Sequence, residues 1–119
     1  MPSVAIIGAS NARHKFGYRA VRAYLRQGWT VHPVNPNERE VDGIAAFRAV
    51  TEIPGAVDRA ALYVPPEIGV TLLAGIKQKG IAELFVNPGA ESDELLDEAE
   101  RLGLNAIQAC AIVDIGERP

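Results

Sequence analysis

Ser3 to Gly8 reads S-V-A-I-I-G, an apolar run with no polar interruption after its first residue, closed by a glycine. A strand with one wet face alternates apolar and polar residues. A run without alternation predicts a strand covered on both faces, the condition of a central strand in a parallel sheet.

Further elements follow at crossover spacing. From Tyr18 to Gln27 the apolar residues Tyr18, Val21, Tyr24 and Leu25 share one helical face, Arg19, Arg22 and Arg26 lie beside it, and Gly28 ends the helix. A second strand, Thr30 to Val34, stops at Asn35-Pro36-Asn37, because proline cannot donate to a sheet ladder and asparagine suits a turn. Residues 38–57 are less regular: Ile44 to Val50 fits a short helix or an irregular segment, and Pro54-Gly55 is a break. Arg59 to Val64 predicts a third strand. Pro66 then opens a helix with Ile68, Leu72, Leu73 and Ile76 on one side, Lys77 and Lys79 in its last turn and Gly80 as its stop. Glu83 to Val86 is a fourth strand ending in Asn87-Pro88-Gly89. Ser92 caps a helix whose Asp93 and Glu94 suit its positive end, with Leu95, Leu96, Ala99 and Leu102 inward and Gly103 at its close. Asn105 to Ala109 is the fifth strand. Five strands alternating with about four helical crossovers predict an α/β chain: a doubly wound, five-stranded parallel sheet in a three-layer α/β/α sandwich. Such sheets bind ligands beyond the carboxyl ends of their strands, near the switch in strand order.

The 119 residues suit one domain, 1–119, and leave no length for a separate substrate domain. No apolar run approaches the roughly 20 residues of a transmembrane helix. Met1-Pro2-Ser3 enters the first strand without a basic segment or cleavage site, so a cytoplasmic protein with no membrane partner is expected. Cys110 is the single cysteine; it supplies neither an internal disulfide nor a metal motif, and the role of a small hydrophobe outweighs that of a nucleophile.

The net charge of −3 hides an asymmetry. Residues 1–37 contain no acid and carry Arg13, Lys15, Arg19, Arg22 and Arg26, while the remainder holds seven basic and fifteen acidic residues, a balance of −8. The acidic remainder and an aromatic fraction of 6% argue against nucleic acid. A small phosphorylated ligand fits the basic third better.

The loop from Gly8 through Ser10, Asn11, Arg13, His14 and Lys15 to Gly17 joins the first strand to the first helix. Glycine permits close backbone approach, the helix start offers unpaired N–H groups, and Arg13 and Lys15 add full charges, which together make a pyrophosphate cradle. A dinucleotide oxidoreductase requires G-x-G-x-x-G and an acid at the end of the second strand. The loop instead runs G-x-S with no further glycine until Gly17, and the second strand ends Val34-Asn35-Pro36 with Glu38 beyond the proline. G-x-x-x-x-G-K-[ST] is absent, which removes a P-loop hydrolase.

V-A-I-I-G-A-S at 4–10, V-N-P at 34–36, Y-V-P-P at 63–66 and N-P-G at 87–89 together resemble the CoA-binding domain family, Rossmann-like proteins similar to the N-terminal domain of the succinyl-CoA synthetase α subunit. The resemblance runs from residue 3 to about residue 116. It implies that Gly8, Ala9, Ser10 and the helix start hold the phosphates of CoA or an acyl-CoA. It also implies that Val34, Asn35, Pro36, Val64, Pro65 and Pro66 border the adenosine, and that Asn87, Pro88 and Gly89 lie near the pantetheine arm. The larger synthetases carry a lysine just after the proline of the second strand; here Asn37 and Glu38 follow, leaving Arg39, Arg13 and Lys15 as candidates for the 3′-phosphate.

The phosphorylated histidine of the full synthetases lies in a further domain, so no catalysis by this chain is expected. His32 reads as structural, His14 as a possible phosphate donor. Asp93, Glu94, Asp97, Glu98 and Glu100 read as a solvated helix face, and Asp114 as a lone acid, without a nucleophile, base and orienting group together. The expected ligand is therefore CoA, with room for a protein partner or a homo-oligomer. Two alternatives stand beside it: a small NAD(P)-type oxidoreductase with a degenerate loop, and an interaction domain that presents Arg19, Arg22 and Arg26 to an acidic protein.

Overall fold

A computed structural model describes all residues 1–119. The chain runs β1 (Ser3–Ile7), α1 (Phe16–Arg26), β2 (Thr30–Val34), β3 (Glu40–Val41), β4 (Ile44–Ala45), a 3-10 turn (Val50–Glu52), β5 (Arg59–Leu62), α2 (Pro66–Lys79), β6 (Glu83–Val86), α3 (Asp93–Arg101), β7 (Ala106–Gln108) and α4 (Ala111–Asp114). The five long-range strands form one parallel sheet ordered β2-β1-β5-β6-β7. β1 has neighbours on both sides and all five of its residues are buried, as the unalternating run requires. The chain winds from β1 outward to β2 by way of α1, then crosses back to β5 and winds the other way, so the switch in direction falls between β1 and β5.

Pleating sorts the core into two layers. Ala5, Ile7, Ala60, Leu62, Leu84 and Val86 point to one face, where Leu73 and Ile76 of α2 and Leu95 and Ala99 of α3 meet them. Val4, Ile6, Ala61 and Phe85 point to the other, under Ala20, Val21 and Tyr24 of α1 and Ile112 of α4. The fold is thus a Rossmann-like α/β/α sandwich. Register aligns its carboxyl edge: Ile7 pairs with Val34 and Leu62, and Leu62 pairs with Val86. Gly8, Asn35, Tyr63 and Asn87 therefore leave the sheet in one row.

Pro66 opens α2 and left-handed Gly80, at φ 77°, closes it. Ser92 Oγ accepts from the Leu95 amide at 3.1 Å and caps α3. Elsewhere the sequence expectations need correction. Ile44–Val50 forms no helix: β3 and β4 pair as an antiparallel ribbon, and Phe47 bridges β2, its amide donating to Pro33 O at 2.9 Å while its carbonyl accepts from the Asn35 amide at 2.9 Å. Three helices, not four, serve as crossovers, because the β2-to-β5 connection uses the ribbon and the 3-10 turn, and α4 follows the last strand. Strand ends also fall short of expectation: β5 stops at Leu62 and β7 spans only Ala106–Gln108. Leu25, expected inward, is 37% exposed, and Gly17, Ala20 and Ala23 complete the buried face of α1.

The opposite edge of the sheet carries a buried cation that the sequence pattern hides. Arg59, the first residue of β5, is 8% exposed. It donates to Tyr24 Oη at 3.2 Å, Glu83 at 3.1 Å and Asp114 at 2.8 Å. Its guanidinium lies 4.9 Å from the Trp29 ring centroid and 4.3 Å from that of Phe85. Burial works against its charge, but the hydrogen bonds outweigh burial and hold its pKa above the ordinary arginine value.

Candidate functional site at the carboxyl edge

Two glycines set the spacing of the β1–α1 loop. Gly8 has φ 95°, and a Cβ there would lie 2.5 Å from the Tyr63 carbonyl oxygen. A Cβ at Gly17 would lie 2.1 Å from the Gly8 carbonyl oxygen, so α1 starts directly on the loop backbone. Two asparagines then fix the neighbouring strand ends. Asn35 Nδ2 donates to Ala9 O at 2.8 Å, and its Oδ1 accepts from the Asn37 amide at 2.8 Å. Asn87 is buried; its Nδ2 donates to Leu62 O at 2.8 Å and its Oδ1 accepts from the Ala111 amide at 2.8 Å. Both side chains are thereby committed to holding the edge in shape.

The loop keeps its own donors unpaired. The backbone amides of Ala9 and Ser10, and those of Phe16 and Gly17 at the start of α1, have no intramolecular acceptor. Ser10 Oγ accepts from the Ala12 amide at 3.0 Å, which leaves its hydroxyl proton free to donate. Among the crossover helices this start is distinctive. α3 has the Ser92 cap and two acids, while α2 begins with Pro66, which has no N–H, and Glu67. α1 has Lys15 at its cap, no side-chain capping bond and no acid in its first turn. Its partial positive charge is therefore available to an external anion.

Two clefts meet at this loop. One, of about 520 Å³, lies between the ends of β1 and β2 and the flank of α2, and is lined by Val34, Pro36, Val50, Val64, Ile68 and Leu72 among others. Its lining includes one charged residue, Arg48, with Asn37, Thr51 and Thr71 as further polar groups. The other, of about 820 Å³, runs from the loop over β5 and β6 and takes in Ser10, His14, Lys15, Phe16, Gly17, Pro66, Glu67, Asn87, Pro88 and Gly89. Gly8, Asn35, Val64 and Pro65 line both, so the clefts form one groove across the switch point. An apolar half, a donor-rich waist and a mixed half suit an elongated ligand with anionic groups near its middle.

The model of the CoA binding domain family matches residues 2–116. This chain belongs to that family. The CoA-binding domain is 34% identical over 115 residues to the α subunit of ADP-forming acetate–CoA ligase II of Pyrococcus furiosus, a match covering 87% of this chain and 25% of the subunit. Among solved structures it is similar to a conserved hypothetical protein of P. furiosus, with TM-score 0.86 and 31% identity over 96% of this chain and 99% of that one. It is also similar to the dinucleotide-forming acetyl-coenzyme A synthetase 1 of Ca. Korarchaeum cryptofilum, solved with phosphate and ADP, with TM-score 0.78 and 26% identity over 90% of this chain and 25% of the other. The domain thus spans about a quarter of the length of the P. furiosus ligase subunit and of the Korarchaeum synthetase.

Of the residues expected at the site, the CoA-binding domain brings together Gly8, Ser10, Lys15, Gly17, Val34, Asn35, Pro36, Val64, Pro65, Pro66, Asn87, Pro88 and Gly89. Ala9 is buried beneath them, and its carbonyl is held by Asn35. Three lie apart from the lining. Asn11 tethers the ribbon: its Nδ2 donates to Glu38 and to Glu40 O, and its Oδ1 accepts from the Asp42 amide. The Arg13 guanidinium sits 5.9 Å from the Tyr18 ring centroid. Arg39 is exposed on the ribbon, outside both clefts. Sequence reasoning missed Arg48, Thr51 and Thr71, because the segment that carries two of them had no readable periodicity.

The remaining candidates divide similarly. His14 lines the second cleft, whereas His32 packs edge-on to Phe47 at 5.9 Å, and burial, with Lys79 nearby, lowers its pKa. Cys110 precedes α4 and packs on the core, and no group of three or more His, Cys, Asp or Glu is placed to hold a metal. The basic face of α1 is largely spoken for: Arg22 pairs with Asp42 at 2.9 Å and Arg26 with Glu117 at 2.8 Å. No helix is long and apolar enough to cross a membrane.

Proposed function

We propose that the chain binds CoA or an acyl-CoA in the continuous groove, with the adenosine in the apolar half, the pyrophosphate at the unpaired amides of the β1–α1 loop, and the pantetheine directed along Pro88 and Gly89. The observation that carries this reading is the unsatisfied start of α1 at the point where the two clefts join. The flat base is matched by preformed apolar walls, and the phosphates by donors that cost no rearrangement. Arg48, rather than Arg39, meets the 3′-phosphate, since it is the cation in the adenosine half. The chain acts as a binding module without catalysis of its own, in the cytoplasm, and any thioester chemistry takes place beside a protein partner. The Arg22 and Arg26 ion pairs weigh against a docking face on α1, and the missing acid at the end of β2 against a dinucleotide oxidoreductase.

Calorimetric titration with CoA, dephospho-CoA and NAD tests the reading. CoA should bind at micromolar levels, dephospho-CoA at least about tenfold more weakly, and NAD more weakly than CoA. Arg48→Ala should remove most of the difference between the first two. Equal binding of NAD and CoA, or no binding of CoA, contradicts the proposal.

A further inference from the structure

The distal half of the groove has an uneven charge distribution that bears on the acyl group. On one side stand His14 and Lys15, both on the β1–α1 loop beside the free amides. On the other stands Glu67, the second residue of α2 and the single carboxylate lining either cleft. Glu67 is exposed and has neither an ion-pair nor a hydrogen-bond partner within the chain. Phe16 lines the same cleft and is 52% exposed, an unusual placement for a phenylalanine, with the Arg19 guanidinium 5.2 Å from its ring centroid. Pro66 and Pro88 add rigid apolar surface. Once phosphates occupy the loop amides, the charge of Lys15 is met, and Glu67 is the charge left unpaired in the cleft.

From this arrangement, and resting on the CoA reading above, we infer that the distal cleft selects acyl-CoA thioesters with uncharged, apolar acyl groups and rejects those ending in a carboxylate. Phe16 and the two prolines supply apolar contact, and Glu67 supplies the repulsion. Specificity then comes from an element that disfavours the wrong ligand as well as from one that favours the right one. Like charges sharing a solvent-open cleft repel enough to change affinity by about fivefold to tenfold, between the bulk-water and protein-surface limits.

Butyryl-CoA and succinyl-CoA form the test pair, because their acyl chains have equal length and differ by a methyl against a carboxylate. Each is titrated calorimetrically into the full chain, with CoA as reference. The wild type should bind butyryl-CoA about fivefold to tenfold more tightly than succinyl-CoA. Glu67→Gln should reduce that ratio to about twofold or less. Phe16→Ala should weaken butyryl-CoA about fivefold more than it weakens CoA itself. The ratio is the readout, so a general change in phosphate affinity or helix stability in Glu67→Gln cancels. A wild type that binds the pair equally, or a ratio unchanged in Glu67→Gln, overturns the inference and leaves CoA binding intact. Failure of CoA itself to bind overturns the reading beneath it as well.

Discussion

Gly17→Ala isolates the contact on which both the fold and the groove depend. Its Cβ would lie 2.1 Å from the Gly8 carbonyl oxygen, where ordinary contact begins at 3.4 Å, a deficit of 1.3 Å. Neither side can yield by a rotamer change, because both are backbone: Gly8 is itself wedged against the Tyr63 carbonyl. The start of α1 must therefore move away from the loop by more than 1 Å. Overpacking of this kind costs about 1–3 kcal/mol, and the helix propensity gained by alanine, at most about 1 kcal/mol, is smaller in a first turn. A net loss of about 2 kcal/mol, at roughly 4 °C per kcal/mol for a chain of this length, lowers Tm by about 8 °C. The displaced amides should weaken CoA by at least about tenfold. Gly75→Ala, inside α2, is the control for stability: its Cβ would meet Thr51 Cγ2 at 3.6 Å and Val50 Cγ2 at 3.9 Å on the 3-10 turn, ordinary contacts. There alanine should raise Tm by about 2–4 °C. Melting curves followed by circular dichroism, with CoA titration of each variant, decide the matter. A Gly17→Ala protein that melts and binds as wild type would refute the spacing argument.

Two further changes probe the core. Arg59→Ala removes the donor shared by Tyr24, Glu83 and Asp114 and opens a gap between Trp29 and Phe85; Glu83 and Asp114 side chains, 39% and 42% exposed, rehydrate, so the loss in chemical denaturation should be about 3 kcal/mol, the low end for a broken buried pair. Arg59→Lys should recover less than half of it, since one ammonium cannot reproduce the planar fork, and a loss below about 1 kcal/mol for Arg59→Ala contradicts the network. Tyr63 Oη is buried with no partner, and burial raises the phenol's pKa; Tyr63→Phe should therefore stabilise by up to about 1 kcal/mol, and a destabilised variant would show that the hydroxyl is paired in solution.

The parts of the fold legible in the sequence are those governed by a single strong local rule. β1 is unalternating because it is buried on both faces; Pro66, Gly80 and Ser92 mark helix ends because each does one thing that few residues can. The turn residues after each strand located the groove for the same reason, since the register sets those turns in one row. Residues 38–57 resisted because their order comes from partners distant in sequence: Phe47 is placed by Pro33 and Asn35, and the ribbon by Asn11. Arg48, which lines the first cleft, is invisible on that account, whereas Arg39, nearer the second strand in sequence, lies outside both clefts. Arg59 escaped notice because an arginine at a strand end ordinarily reads as solvated, and its aromatic neighbours Trp29 and Phe85 lie on other elements.

The amides left unpaired at the β1–α1 loop weaken the carboxyl edge of the sheet. The opposite edge offsets this with the hydrogen bonds around Arg59, and the two are joined through α4. Tyr24 Oη accepts from Arg59 and donates to Ala111 O at 2.8 Å, while the Ala111 amide donates to Asn87, whose own amide reaches Leu62 O. One buried path thus runs from the rigid edge to the strand end beneath the distal cleft. Asn87 consequently matters less as a ligand contact than as the residue that transmits the stiffness of one edge to the other. Its side chain is buried with both polar atoms bonded within the chain, so Pro88 and Gly89 present backbone and ring surface to the groove, and Glu67 is the carboxylate in that cleft.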